Sequence, residues 1–267
     1  MSDDDRLTSW ERDGYLVIRD AIAAEYIEPV RDMIRSRVDA IARERHAAGE
    51  LPSLYEEEPF GRRYAAMQEH IEEPERKLFG PTELTTNALY DLYTHPAITD
   101  VLRDIVGPEV TLHGISMIRV KLPDTEERAI PWHQDSHYYN EETLGKFAAS
   151  TEHMHVVTAW TPLVDVDVDN GCLWFIPGSH RWGFLSGARN QAGQVLIDEE
   201  VEARGNPTPV PMEVGDVVFF NNLTLHRSKQ NKTDRVRWSH DFRYHRSAAV
   251  EPEGSPARHA TDYFDTK

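Results

Sequence analysis

Apolar residues in the first hundred positions recur at intervals of three and four, the period of an amphipathic helix. The clearest stripe falls within residues 23–48 and consists of Ile27, Val30, Ile34, Val38 and Ile41. Shorter helices are predicted by the same spacing and by flanking proline and glycine residues at 7–13, 84–93 and 94–107. The first part of the chain is therefore predicted to be mainly helical.

The pattern changes near residue 110 to short β-rich runs that are separated by turn residues. The predicted strands lie at residues 110–122, 155–164, 172–176, 217–220 and 236–244. Turn signals such as Asn170-Gly171 and Pro177-Gly178 interrupt them. Many short strands after a helical beginning predict a mainly β fold with flanking helices, built on a jelly-roll, cupin-like double-stranded β-helix.

No repeat, low-complexity tract or linker divides the chain, so one domain is predicted over residues 1–267. Its predicted parts are a mainly helical segment at 1–109, the jelly-roll core at 110–245 and a C-terminal tail at 246–267. The glycine-containing stretch 183–208 is predicted to be a long insertion between strands and a candidate lid.

Composition narrows the classes of partner. The formal net charge of −17 disfavours binding to nucleic acid and to anionic membranes. No apolar run approaches the roughly 18 residues of a membrane span. A single cysteine and an acidic start without an apolar run predict a cytoplasmic protein rather than a secreted one. The sequence makes no prediction of the oligomeric state.

A candidate metal site begins at His133-Gln134-Asp135. On an extended strand, residues i and i+2 point to the same face, so His133 and Asp135 are expected to converge. About two His-x-acid pairs are expected by chance in a chain of this composition. The other pair, His70-Ile71-Glu72, lies in a charged, helix-like stretch where such residues do not face each other.

A second block, some ninety residues later, makes the first more informative. Gly215-Asp216 begins an apolar run that ends at His226, and Arg237 lies on the next predicted strand. Taken alone, His226 is better explained as a packed histidine at a strand end and Arg237 as a surface arginine. Together, two histidines and one carboxylate form the facial triad that suits Fe(II), and an arginine nearby can bind a carboxylate through two parallel hydrogen bonds.

Four ordered blocks between residues 110 and 245 resemble the phytanoyl-CoA dioxygenase family of Fe(II)/2-oxoglutarate oxygenases. Their sequences are Trp132-His133-Gln134-Asp135-Ser136-His137-Tyr138-Tyr139, Thr158-Ala159-Trp160-Thr161-Pro162-Leu163, Asn170-Gly171-Cys172-Leu173-Trp174-Phe175-Ile176-Pro177-Gly178-Ser179-His180, and Leu225-His226-Arg227-Ser228 through Arg237. The resemblance is specific for the family and uninformative about the substrate.

The resemblance implies a role for each matching residue. His133, Asp135 and His226 would bind iron, and the cosubstrate 2-oxoglutarate would be bound by Arg237, Ser228, Gln134, Trp160 and Met117. The implied reaction uses O2, oxidises a small-molecule metabolite, most simply by hydroxylation, and releases succinate and CO2. Desaturation, epoxidation and cyclisation stay open as outcomes, whereas the carboxylate of Asp135 disfavours halogenation.

Two points stay open. His137 and Tyr139 share strand parity with the two ligands of the first block, so either could contact substrate, although packing explains them as well. The alternative function is that of a cupin-like metal- or sugar-binding protein without redox chemistry, because jelly rolls host many functions. Arg237 favours the oxygenase, since a plain metal-binding barrel has no use for a carboxylate-binding arginine at that position.

Overall fold

Helices occupy most of the first hundred residues in the computed structural model, which describes residues 3–71, 78–123, 129–138 and 156–246. The α-helices are α1 (Asp3–Asp13), α2 (Ala24–Ala47), α3 (Phe60–Gln68), α4 (Asn87–Tyr93), α5 (Pro96–Val106) and the single turn α6 (Val201–Arg204). The apolar stripe of α2 is buried, as its spacing predicts. Helix α5 begins at Pro96, is capped by the His95 side chain and ends at Gly107, whose φ of 104° disfavours other residues.

The strands form two main sheets. They are β1 (Tyr15–Ile18), β2 (Val110–Lys121), β3 (Ile130–His133), β4 (Val156–Pro162), β5 (Leu173–Phe175), β6 (Gly187–Arg189), β7 (Val195–Ile197), β8 (Thr208–Val210), β9 (Val217–Asn221), β10 (His226–Ser228) and β11 (Arg237–Arg246). The larger sheet has the order β1-β9-β4-β11-β2, and the smaller has the order β3-β10-β5-β8. All of these pairings are antiparallel.

The two sheets enclose an interior, and the helices cover the outer face of the larger one. Strand alternation sends Val157 and Ala159 of β4 into the helix-packed core, whereas Trp160 joins a second cluster between the sheets. On β11, Trp238 stacks against Phe60 of α3. The predicted jelly-roll fold with flanking helices is thereby confirmed.

One sequence expectation needs an addition and another needs correction. The stretch 183–208 lies between β5 and β8, as expected of an insertion, and it contains the antiparallel β6–β7 hairpin and α6, which the sequence patterns did not predict. Strand β3 ends at His133, and a 3₁₀ turn runs over Asp135–Tyr138, so the expected strand alternation stops before Asp135. The predicted C-terminal tail lies almost wholly outside the described residues, and the proposed domain boundaries stay a prediction.

None of the helices in the described part of the chain is both long enough and apolar enough to cross a membrane.

Candidate active site

Two imidazoles and one carboxylate converge at one end of the paired strands β3 and β10 in the smaller sheet. His133 at the end of β3 lies opposite His226 at the start of β10, and their ring centroids are 4.1 Å apart. Asp135 Oδ1 lies 3.6 Å from His226 Nε2 and 3.9 Å from His133 Nε2. The three side chains are buried, and their ligand atoms lie within 4.8 Å of one another. The 3₁₀ turn, rather than strand alternation, brings the carboxylate to this point.

Backbone carbonyls orient both rings. His133 Nδ1 donates to the Pro131 carbonyl, and His226 Nδ1 donates to the Thr224 carbonyl, each at 2.9 Å. Each Nε2 is then free of its proton and points toward Asp135, as in metal-binding histidines. Burial and the neighbouring imidazole lower the pKa of His133 to about 3, and burial also lowers the pKa of His226. Both rings are therefore neutral at physiological pH, the form that binds metal.

The second oxygen of Asp135 is held by the protein. Thr158 Oγ1 donates to Oδ2 at 2.6 Å, and Arg243 Nε donates to the same oxygen at 3.2 Å. Burial alone would raise the pKa of Asp135, but the Arg243 guanidinium and the hydrogen bond from Thr158 favour its ionised form and lower it. Because Oδ2 is occupied, only Oδ1 faces the point where the histidines converge.

Further charged groups extend this arrangement along the inner face of β11. Arg243 Nη1 donates to Asp241 Oδ2 at 2.8 Å, and Arg119 Nε of β2 donates to Asp241 Oδ1 at 2.6 Å. Burial opposes ionisation of Asp241, yet the two guanidiniums lower its pKa to about 2. Sequence analysis missed Thr158, Arg119, Asp241 and Arg243. The alternation of polar and large apolar residues from Arg237 to Tyr244 was the signal that could have revealed the last two.

Arg237 differs from these arginines because its charge is unmatched. Its side chain is buried, its Nη1 donates to Ser239 Oγ at 2.6 Å, and its guanidinium lies 5.5 Å from the centre of the Trp160 ring. Among the described residues, no carboxylate lies within salt-bridge distance, and Nε has no hydrogen-bond partner. Burial and the nearby Arg119 lower the pKa of Arg237 to about 10. A buried, charged donor without an acid partner fits an incoming carboxylate.

One cavity of about 650 Å³ joins the three converging ligands to Arg237. Its lining includes Met117, Trp160 and Ser228, as the sequence predicts. Lys121 Nζ of β2 donates to Ser228 Oγ at 3.1 Å. The cavity therefore contains the nitrogen and oxygen ligands of a metal at one point. At another point it contains a guanidinium, that of Arg237, which can bind a carboxylate.

Two expected cavity residues point elsewhere. The Gln134 side chain donates to the carbonyls of Gly183 and Leu223 and accepts from the Leu185 amide, so it fastens the segment after residue 182 and does not line the cavity. His137 follows the end of β3 and lies outside the cavity lining, where its Nε2 donates to the Leu185 carbonyl.

Tyr138 lines the cavity in its place and packs edge-on against His133. The expectation for His137 failed because it assumed strand alternation through a 3₁₀ turn. The other substrate candidate, Tyr139, lies outside the described residues.

The fold and the site together define a jelly-roll barrel with two histidines and one carboxylate arranged for a metal ion. That donor set, with neutral imidazoles and one carboxylate oxygen, fits a mononuclear divalent iron. The unmatched guanidinium of Arg237 fits the distal carboxylate of 2-oxoglutarate. These residues of the chain thus fit both groups.

Comparisons with known proteins agree with this class. The family described as phytanoyl-CoA dioxygenase (PhyH) matches residues 10–239, so the chain belongs to the phytanoyl-CoA dioxygenase family. Phytanoyl-CoA dioxygenase domain-containing protein 1 of Bos taurus is 31% identical over 160 residues, which are 58% of this chain and 52% of the relative. Peroxisomal phytanoyl-CoA dioxygenase of Homo sapiens is 32% identical over 159 residues, which are 56% of this chain and 43% of the relative.

The chain thus spans about half the length of these two curated relatives. Among solved structures, EctD from S. alaskensis with bound Fe is similar to this chain, with a TM-score of 0.63 and 21% sequence identity. The match covers 98% of this chain and 84% of the EctD chain. This likeness supports the fold, and the family membership expected from the four sequence blocks is confirmed.

Proposed function

We propose that the protein is an Fe(II)- and 2-oxoglutarate-dependent dioxygenase that oxidises, most simply hydroxylates, a small-molecule metabolite. The observation that carries this proposal is the presence of His133, Asp135, His226 and the unmatched Arg237 in one cavity. A metal-binding barrel without redox chemistry would need the three ligands. It has no reason to bury the guanidinium of Arg237 without an acid partner. Membership in the phytanoyl-CoA dioxygenase family supports the same function.

Each group has a separate task in this proposal. The two imidazoles and Asp135 Oδ1 would hold the metal on one side and leave its other positions for ligands. Arg237 would bind the distal carboxylate of 2-oxoglutarate, with Ser228 and Trp160 beside it. When bound, Fe(II) and 2-oxoglutarate supply the oxidising chemistry with O2, in which 2-oxoglutarate becomes succinate and CO2.

The protein also shields and positions the reactants. Thr158 and Arg243 keep Asp135 Oδ2 away from the metal position, so the carboxylate would bind through one oxygen. Trp160, Leu173 and Phe220 supply apolar walls that exclude water from the neighbourhood of the ligands. A small molecule fits the volume of the cavity, and the expectations of a cytoplasmic location and of no nucleic-acid partner are retained.

An anaerobic titration tests the proposal. 2-Oxoglutarate is added to Fe(II)-loaded protein, and the visible metal-to-ligand charge-transfer band of the chelate is recorded. The wild type should develop the band, and Arg237→Ala should require about 10- to 100-fold more 2-oxoglutarate because the carboxylate loses its charged partner. Arg235→Ala is the matched control, since this exposed arginine lies two residues earlier.

The possible results separate the candidate functions. The oxygenase is supported if the wild type develops the band and if Arg237→Ala, but not Arg235→Ala, needs more 2-oxoglutarate to develop it. Bound iron without any band would contradict the oxygenase and favour the metal- or sugar-binding alternative. An unchanged requirement in Arg237→Ala would show that another residue binds the cosubstrate.

A further inference from the structure

Arg119 lines the cavity, and neither metal binding nor 2-oxoglutarate binding assigns it a role. Met117, Arg119 and Lys121 share one face of strand β2 and line the cavity, and Ile118 on the opposite face also packs into the helix-covered core. The Arg119 side chain keeps 43% of its surface exposed, although the arginines beside it are buried. Its guanidinium is therefore accessible to a molecule that enters the cavity.

The hydrogen bonds of Arg119 leave one side of its guanidinium available. Nε and Nη2 donate to the two oxygens of Asp241 at 2.6 and 3.1 Å. Within the described part of the chain, Nη1 has no hydrogen-bond partner. Asp241 also accepts from Arg243, so this one carboxylate is shared between two guanidiniums and neutralises only one of them.

The charges in the cavity do not balance when the proposed groups are bound. Three guanidiniums, those of Arg119, Arg237 and Arg243, and the ammonium of Lys121 line the cavity, and the described acids that line it with them are Asp135 and Asp241. The remaining cation of the described lining, Arg227, is paired with Glu202. A divalent iron and a dianionic 2-oxoglutarate cancel each other, so the described lining keeps an excess of positive charge. Arg237 would be matched by the distal carboxylate and Arg243 contacts both aspartates, so Arg119 is the guanidinium left with only a shared acid.

Arg119 is also close to the reacting centre. It lines the same cavity as the three ligands, and its partner Asp241 also accepts from Arg243, which contacts Asp135. Apolar residues in the rest of the cavity lining include Ile130, Leu173 and Phe220. A planar guanidinium in a cavity with apolar walls matches a molecule with one carboxylate and an apolar body.

We propose that the substrate is an organic acid whose carboxylate is bound by Arg119, and that this residue determines the preference for acids over neutral analogues. The inference rests on the proposed function, since the charge count includes the metal and 2-oxoglutarate. It assigns the substrate class by its charge and places the anionic end of the molecule at the β2 side of the cavity.

A calorimetric experiment tests the inference without turnover. Protein is loaded with Ni(II) in place of Fe(II) and with saturating 2-oxoglutarate, and is titrated with octanoate and, separately, with octanamide. The two probes have the same apolar body and differ in charge. The wild type should bind octanoate about 10- to 100-fold more tightly than octanamide, as expected for a charge-assisted hydrogen bond.

Variants then locate the preference. Arg119→Gln should bind both probes with the weak affinity of octanamide, whereas Arg119→Lys, which keeps the charge without the planar fork, should retain a reduced preference. Arg103→Gln removes an exposed arginine that also has an acidic partner and should behave as the wild type. Thermal unfolding checks that each variant is folded, and Arg119→Lys provides the test should Arg119→Gln fail to fold.

The failures are distinguishable. Absence of Ni(II) or 2-oxoglutarate binding to the wild type would contradict the proposed function and this inference together. Normal cofactor binding with equal affinities for octanoate and octanamide would overturn the inference alone. The same holds if Arg119→Gln keeps the full preference, or if octanoate binds by displacing 2-oxoglutarate from Arg237. A phosphate monoester, octyl phosphate, that binds more tightly than octanoate would overturn the assignment to carboxylates.

Discussion

The two faces of strand β11 differ sharply in chemical character. Alternate residues face the helices, and they are Trp238, His240, Phe242 and Tyr244. The residues between them face the cavity, and they are Arg237, Ser239, Asp241 and Arg243. One strand therefore contributes a packed aromatic core on one side and a set of buried charges on the other.

The difference separates the source of stability from the source of chemistry. Burying the aromatic face removes apolar surface from water and stabilises the fold. Burying guanidiniums and carboxylates costs free energy that their mutual pairing only partly recovers. The helices α2 to α5 cover the outer face, and the packing of that face offsets the free-energy cost of the charged interior. Substitutions on the two faces should consequently have different effects.

Phe242→Ala should give the largest change, and the change should be in stability. Phe242 is fully buried and its ring lies 4.9 Å from that of Tyr93 in α4. We expect urea unfolding to show a loss of about 3–5 kcal/mol, with metal affinity of the folded protein unchanged within about threefold. The same substitution at the exposed Phe184 should cost less than about 1 kcal/mol. Loss of metal affinity in folded Phe242→Ala would show that the two faces are coupled.

His226→Ala should produce the next largest change, in metal affinity. The variant removes one of three ligands at the point where β3 and β10 meet. We expect Ni(II) affinity, measured by calorimetry, to fall at least about a hundredfold. This loss exceeds the usual effect of substituting a residue that only hydrogen-bonds to a metal ligand. His46→Ala, on the exposed surface of α2, is the control. Unchanged affinity in His226→Ala would remove this residue from the site.

Sequence patterns predicted the fold well where one period extended over many residues. The stripe of α2 and the long runs of β2, β4 and β11 gave the elements within one or two residues at most ends. The region between residues 183 and 208 was harder to predict, because the β6 and β7 strands are three residues each and mostly exposed. Such short strands carry no clear alternation of apolar and polar residues.

The candidate site was predictable in part. His133, Asp135 and His226 were found by motif, although the stated geometric reason, strand alternation, fails at the 3₁₀ turn. His137 was misplaced for the same cause, since a local change of backbone redirects each following side chain. Gln134 was assigned to the cosubstrate by resemblance, and its side chain instead bonds to the segment after residue 182. The groups around Asp135 could not be located from spacing alone, because Thr158 and Arg243 come from strands far along the chain.

The pH dependence of stability should be set partly by His240, which lies on the helix-covered face of β11. Burial lowers the pKa of His240 to about 4, assisted by Arg119 and Arg243 and opposed by Asp241. The folded state then binds fewer protons than the unfolded state between about pH 6.5 and 4. Stability from this group is therefore present above pH 6.5 and is lost as the pH falls toward 4.

Urea unfolding of the metal-free protein measures this effect. Between pH 7 and 4.5 the wild type should lose roughly 2 kcal/mol through His240, in addition to losses in the same direction from His133 and His226. His240→Gln should show a shallower pH dependence, whereas His46→Gln should retain that of the wild type. Equal slopes for the wild type and His240→Gln would mean that His240 is not buried in its neutral form.

Thr158→Val should cause the smallest of these changes and is the most direct comparison of the two faces. Thr158 on the cavity side of β4 donates to Asp135 Oδ2 at 2.6 Å, and valine keeps the shape without the donor. Because Arg243 still contacts Oδ2, Ni(II) affinity should fall by only about 3- to 10-fold.

Thr161→Val is the matched control, since this buried residue of the same strand donates to the Asp216 carbonyl instead. Thr161→Val should lower stability by about 1 kcal/mol and leave Ni(II) affinity unchanged. If both variants weakened Ni(II) binding equally, the effect would arise from β4 as a whole and not from the bond to Asp135.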